Sequence, residues 1–301
     1  MASVVILDGG MGKELRRIGA PFRQPEWSAL ALMEAPEMVA RAHQNFVDAG
    51  ADVIITNNYA VVPYHLGDQP FAARGRELAA RAGQLARQVA DSAEHEVRVA
   101  GSLPPLFGSY EPTQFDPRRA APIYGDIVDA LDPYVDLWIG ETFSRVDELT
   151  TTVAAIHERG SGQPIWMSFT LPDTYPADRV TLRSGETTDD IAAAVAASHP
   201  PVQAVLFNCS LPEQTGPAIR ALARSLHQQG LDTALGGYAN AFPVSRSGTY
   251  QANEVVFERR AELTADRYAE HVAEWIDDGA TIVGGCCDMY PEHIAALGRF
   301  R

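Results

Sequence analysis

The chain has 301 residues, 46% of them apolar, and carries 39 acidic against 24 basic side chains, a formal charge of −15. That length allows one large domain or two small ones, with enough apolar residues for a substantial core. The acidic balance, with no basic run anywhere, excludes a nucleic-acid surface, which needs clustered Lys and Arg.

The N-terminal "MASVVILDGG" lacks the charged and then long apolar regions of a secretory signal. No stretch approaches the roughly eighteen apolar residues of a membrane span. Three cysteines are an odd number, unlike a secreted disulfide framework, so a reducing cytoplasm is the expected home. Lys13 is the only lysine.

In chain order, four short β-branched or apolar runs come first: "VVIL" (4–7), "DVIITN" (52–57), "VRVAGSL" (97–103) and "DLWIGET" (136–142). Four more follow: "PIWMSFT" (164–170), "AVLFNCS" (204–210), "TALGGYAN" (233–240) and "TIVGGCC" (281–287). Ala-rich segments such as "PEMVARAHQNFVDAG" and "TADRYAEHVAEWIDDG" separate them, with apolar residues at three- and four-residue spacing, the helix period. Gly50, Gly160, Gly230 and Gly279 close several of these segments, as helix C-caps do. Strands that are apolar throughout and alternate with helices predict a parallel sheet buried on both faces. Eight such units in about three hundred residues predict a (β/α)8 TIM barrel, α/β in class and a single domain over 1–301. An open doubly wound sheet is the competing architecture, but no G-x-G-x-x-G follows the first strand. Long loops are expected at 20–35, 58–70, 104–121, 171–186 and 241–262.

In a parallel barrel all strand C-termini open on one face, where catalytic groups collect. Cys209 ends the sixth predicted strand, and Cys286 and Cys287 end the eighth, so three thiols converge on one rim. Three thiolates suit zinc, which takes soft sulfur ligands and leaves a fourth position open in catalytic sites. Gly284 and Gly285 would give the backbone the freedom that two adjacent ligands need. Two other uses stay open at this point: buried cysteines serving as small apolar residues, and Cys286/Cys287 as a redox-active or structural thiol pair.

At these residues the sequence resembles the homocysteine S-methyltransferase family, which includes betaine- and S-methylmethionine-dependent enzymes and the N-terminal module of methionine synthase. "LDGGMGKELRRIG" resembles its D-G-G-x-G-x-x-L opening, and "DAGADVIITNNY" its A-G-A-D-x-x-x-T-N-T-Y. "GSLPP", "ETF", "NCSLP", "YANAF" and "DDGATIVGGCCDMYPEHIAAL" resemble later blocks in the same order. The resemblance implies a (β/α)8 barrel holding Zn2+ through Cys209, Cys286 and Cys287. It implies an amino-acid pocket lined by Asp8 and the backbone of Gly9 and Gly10, with Glu141 receiving the substrate ammonium. Carboxylates at strand ends are natural partners for an ammonium. The competing use of Asp8 is a helix N-cap, and of Glu141 a rim salt bridge.

The implied activity is zinc-dependent transfer of a methyl group from a sulfonium donor, S-methylmethionine or S-adenosylmethionine, to the thiol of L-homocysteine, giving methionine. The expected partners are these small molecules, with no nucleic acid and no membrane. Trp27, Tyr59, Phe107 and Tyr110 are candidate onium-binding aromatics. Asn57, also a candidate substrate-binding residue, is with Asn208 and Asn240 a candidate for orienting the site by hydrogen bonds. His43, His65, His157, His271 and His293 have no ligand spacing and read as packing or helix-surface residues. Departures from the family pattern include Asp288, where Gly usually follows the paired cysteines, Asn58, Ala60 and Ala239. A Schiff-base aldolase needs a strand-borne lysine, and Lys13 lies instead at the start of a helix.

Overall fold

Along each strand, alternate residues face opposite sides of the sheet, and this alternation builds the interior. In the computed structural model, which describes residues 4–173, 179–243 and 259–301, the eight strands are all parallel. They are β1 (Val5–Ile6), β2 (Val53–Ile55), β3 (Arg98–Leu103), β4 (Leu137–Phe143), β5 (Ile165–Phe169), β6 (Ala204–Asn208), β7 (Ala234–Ala239) and β8 (Ile282–Gly285). They are ordered β1-β8-β7-β6-β5-β4-β3-β2. The two ends of that order meet: Leu7 bridges Val53 in parallel, Asp52 N donates to Ile6 O (2.7 Å), and Asp8 N donates to Val53 O (3.0 Å). The sheet therefore closes into the expected (β/α)8 barrel.

The helices are α1 (Met11–Arg17), α2 (Ser28–Glu34), α3 (Pro36–Asp48), α4 (Pro63–Leu66), α5 (Asp68–Ser92), α6 (Pro117–Leu131), α7 (Val146–Glu158), α8 (Thr188–Ala197), α9 (Pro212–Gln228), α10 (Ala265–Asp277) and α11 (Pro291–Leu297). The expected C-cap glycines follow α3, α7, α9 and α10 with φ of 96°, 73°, 71° and 108°, the left-handed region where glycine is favoured. The expected loops 20–35 and 58–70 contain α2 and α4. Both helices are too short to display a period, and the buried Ala29, Ala31 and Leu32 hold α2 in an apolar cluster with Leu15 and Leu78. Residues 174–178 and 244–258 of the last two expected loops lie outside the described residues.

The core has two layers. Strand and helix residues such as Val99, Phe143, Phe207 and Trp275 pack between sheet and helices, while Leu7, Val53, Leu137, Ile139, Leu206 and Tyr238 fill the barrel. The inward face changes character toward the strand C-termini. On β4 it runs Leu137, Ile139, Glu141; on β6, Ala204, Leu206, Asn208; on β5, Trp166, Ser168. The barrel is thus apolar below and polar at its mouth.

Candidate metal centre

The mouth encloses a cavity of about 130 Å3, lined by the predicted residues Asp8, Gly9, Gly10, Asn57, Glu141, Cys209, Cys286 and Cys287. Regular strands cannot aim neighbouring residues at the same space, yet Glu141 and Thr142 both line it. The register of β4 against β5 shifts between Gly140 and Phe143, and Thr142 adopts φ 60°. Cys209 breaks the alternation of β6 in the same way with φ 47°. Five non-glycine residues have left-handed φ among the described residues. Trp27, Tyr110, Thr142 and Cys209 line the cavity, and Asp288 directly follows Cys287. Strain of this kind persists where the surrounding structure over-determines it, and it clusters at functional sites.

The three thiols are free, and their sulfurs all lie within 4.8 Å of one another. Cys209 Sγ is 3.7 Å from Cys287 Sγ. A disulfide would need about 2.05 Å. A tetrahedral ion with metal–sulfur bonds of about 2.3 Å spaces its ligands about 3.8 Å apart. Sharing of protons within the cluster pushes the Cys209 thiol down, through hydrogen bonds from Cys286 and Cys287, and pushes those two up. Without a cation only part of the cluster ionises, so the donor set fits a soft metal ion.

Surrounding residues hold the sulfurs in place. Tyr110 donates its hydroxyl to Cys209 Sγ (2.9 Å), and Asn240 Nδ2 reaches the same sulfur at 3.8 Å. Asn208 exchanges hydrogen bonds with Thr142, accepting from its N and donating to its Oγ1, both at 2.8 Å, and accepts from Ser168 Oγ. Cys286 N donates to Ala239 O (2.8 Å), and Met289 N closes a turn on Cys286 O (3.0 Å). The paired glycines act differently from expectation. Neither Gly284 nor Gly285 has positive φ. A Cβ on Gly284 would lie 2.5 Å from Leu7 Cβ, and one on Gly285 2.4 Å from Met289 Cβ. They are glycines because β1 and the Cys286–Met289 turn pack against them, and the backbone reversal is made at Asp288, with φ 63°.

Two buried carboxyls face the cavity. Asp8 Oδ2 accepts from Ile55 N (2.9 Å), whereas α1 starts from Gly10 with no side-chain cap, so Asp8 is not an N-cap. Glu141 accepts from Ser102 Oγ (2.5 Å) and Tyr238 hydroxyl (3.5 Å), rather than from a rim cation. Burial pushes Glu141 up to about 7, with the Cys209 charge adding to it. Burial raises Asp8 well above the usual carboxylate range, with Glu141 adding to it. A cation beside them would favour the ionised form of both carboxyls. Ser102 was not singled out from the sequence, although its place two residues after Ala100 on β3 gives it the same inward face.

Of the candidate aromatics, Trp27, Tyr59 and Tyr110 line the cavity. Phe107 does not; it packs on Phe115 (6.3 Å between ring centres) under the Arg119 guanidinium. Asn57 lines the cavity, with its amide donating to Ser28 O (3.3 Å). His43 and His65 are buried packing residues. His293 acts locally, its Nδ1 accepting from Tyr290 N (3.0 Å) at the start of α11, which explains the "PEHI" spacing.

A family model described as homocysteine S-methyltransferase matches residues 5–300. A homocysteine S-methyltransferase of Escherichia coli (strain K12) is 30% identical, covering 98% of this chain and 94% of the relative. A selenocysteine methyltransferase of Astragalus bisulcatus is 25% identical, covering 97% and 90%. The metallated form of the homocysteine methyltransferase MmuM from Escherichia coli superposes with a TM-score of 0.74 at 28% identity, covering 99% of this chain and 96% of that one.

Proposed function

The chain belongs to the homocysteine S-methyltransferase family, and from that premise we propose that it methylates the thiol of L-homocysteine from a sulfonium donor, S-methylmethionine or S-adenosylmethionine, to give methionine. The observation that carries this reading is one cavity holding three free sulfurs within 4.8 Å of one another beside two buried carboxyls. In this reading Cys209, Cys286 and Cys287 hold a zinc ion. When bound, zinc supplies a Lewis acid that keeps the substrate thiol in its thiolate form at neutral pH.

Glu141 and Asp8 take the α-ammonium of homocysteine, whose charge favours their ionised forms. The hydroxyls of Ser102 and Tyr238 fix the Glu141 carboxylate. Tyr110 orients Cys209 by donating to its sulfur. The substrate thiolate attacks the donor methyl carbon in line. A sulfur–carbon bond forms as the carbon–sulfonium bond breaks, and its electron pair leaves with the donor sulfur. The acidic cavity and the aromatic faces of Trp27 and Tyr59 suit a cationic donor. Free thiols of this kind call for a reducing compartment, which fits a cytoplasmic protein working as one barrel domain on small molecules. No helix among the described residues is long and apolar enough to cross a membrane.

The test is methyl transfer to homocysteine from S-methylmethionine, S-adenosylmethionine and betaine, with metal content measured in parallel on protein made without a metal-binding tag. The expected result is about one zinc per chain and turnover with a sulfonium donor, both lost in Cys209→Ser. A wild-type chain with less than about a tenth of an equivalent of zinc, or with thiols released only by reductant, would favour the Cys286/Cys287 redox pair instead.

A further inference from the structure

The loop after β5 ends in a tight hairpin whose tip touches a residue of the cavity from behind. Thr181 and Thr187 pair as an antiparallel bridge, Leu182 N donates to Glu186 O (2.8 Å), and Gly185 turns the chain with φ 92°. Two bonds tie this hairpin to the start of α7: Ser184 N donates to Ser144 O (3.1 Å), and Val146 N to Glu186 Oε2 (2.9 Å). Arg183 thus stands on a fixed base. Its guanidinium lies over the Tyr110 ring, 4.4 Å from the ring centre. Tyr110 lines the cavity and Arg183 does not.

Polar pairing does not account for the position of Arg183. Its side chain is 17% exposed, and among the described residues its ion pair is a single 3.4 Å contact with Asp173. Its Nε is buried there without a hydrogen-bond partner. Burying a guanidinium so thinly paired is costly, and what it gains is the ring, since Arg stacks on aromatic faces and is attracted by their charge distribution. Tyr110 needs such a hold, because its φ of 68° is one that side-chain-bearing residues rarely adopt. Its neighbour Ser109 is pinned as well, sharing a 2.5 Å hydrogen bond with the Tyr59 hydroxyl.

We infer that Arg183 is a positioning residue: by clamping the Tyr110 ring it keeps the hydroxyl on Cys209, and so makes that sulfur a weaker nucleophile than the substrate sulfur beside it. This inference rests on the methyl-transfer reading. In that reading an electrophilic methyl group enters a cavity that already holds three sulfurs, each able to compete for it. A hydrogen bond to a thiolate draws charge from the sulfur. Cys209 receives the close one, at 2.9 Å from the Tyr110 oxygen, whereas Asn208 Nδ2 stands 4.0 Å from Cys286 Sγ. A cation on the ring face pulls electron density from the phenol, so its hydroxyl donates more strongly.

The test treats the zinc-loaded protein with iodoacetamide and follows modification of Cys209 by peptide mass spectrometry, in wild type, Tyr110→Phe, Arg183→Met and the double variant. Tyr110→Phe keeps the ring and removes the hydrogen bond. It is expected to speed the reaction at Cys209 at least about tenfold, the rate equivalent of a hydrogen bond to a charged group. Arg183→Met is expected to speed it about fivefold, the equivalent of a cation–ring contact, and Arg183→Lys, which returns a cation to the ring face, to reverse part of that change. Because Arg183 acts through the hydroxyl, the double variant should match Tyr110→Phe within about twofold. A purely structural role would instead multiply the two effects. Arg183→Gln closes the same cycle if Arg183→Met does not fold. Multiplied effects, a wild-type rate in either single variant, or a rise shared equally by Cys286 and Cys287 would overturn the inference. A wild-type chain that binds no zinc or transfers no methyl group would instead overturn the reading beneath it.

Discussion

Gly10→Ala tests how the cavity is assembled from the two ends of the chain. A Cβ on Gly10 would lie 2.6 Å from Cys286 O, 3.1 Å from Asp288 N and 3.2 Å from Cys287 Cα, all of them backbone atoms. Ordinary contact begins at 3.4 Å. The turn carrying both cysteines must therefore retreat by about 0.8 Å, because no side-chain tip is present to swing away. Overpacking of this kind costs about 1–3 kcal/mol. In the zinc reading proposed above, metal–ligand distances tolerate only about 0.2 Å, so the larger consequence falls on the bound ion. Disturbing the support of a metal site lowers affinity by about 10–100-fold, and zinc affinity is expected to fall within that range. Competition against a chromogenic chelator reads the affinity, and urea denaturation of the metal-free protein reads the packing cost. Gly162→Ala is the control, since its Cβ meets nothing within 4 Å. Wild-type zinc affinity in Gly10→Ala would show that the turn does not depend on that close approach, and the account of these glycines would fail.

Two further predictions concern buried carboxyls. Glu141, raised to about 7 chiefly by burial, must be ionised to hold an ammonium, so KM for homocysteine should fall as pH rises through 7. Glu141→Gln should raise that KM and flatten its pH dependence; a wild-type KM that is level from pH 6 to 8 would clear Glu141 of the role. Glu148, which accepts from Ser144 N (2.6 Å) and Arg145 N (3.1 Å) at the start of α7, is pushed up to about 8 by burial, from an ordinary 4.5. A carboxyl whose folded pKa is raised loses stability as pH climbs between those two values. Gln keeps an oxygen for both N–H groups and carries no charge, so Glu148→Gln should unfold at a higher temperature than wild type at pH 9 and at a similar one at pH 5. A lower melting temperature at pH 9 would refute the sign.

Much of this architecture was legible because a closed parallel sheet turns sequence order into spatial order. Once "AVLFNCS" and "TIVGGCC" are the sixth and eighth strands, Cys209, Cys286 and Cys287 have to share a rim, where two of those sulfurs lie 3.7 Å apart. Glu141 was legible as a strand-end carboxyl, and alternation along β3 would have disclosed Ser102. Side-chain direction beyond the strand ends was not legible. Phe107 and Tyr110 are three residues apart, yet one packs under Arg119 and the other reaches Cys209, because φ 68° at Tyr110 turns the chain. The work of Gly284 and Gly285 was misread for a related reason: a glycine required by a neighbour's bulk and one required by its own dihedral look identical in one dimension. The ion pair of Lys13 Nζ with Asp288 Oδ2 (2.9 Å) joins two turns whose contact depends on that tight packing.

Because β8 brings two of the three sulfurs, the order of assembly is constrained. At the barrel mouth the Cys209 thiol stands alone until the eighth strand is made and docks between β1 and β7. In the proposed reading the full three-sulfur site exists only once the ring has closed, and an ion bound there would act as a clasp across the seam, resisting the departure of the strand that arrived last.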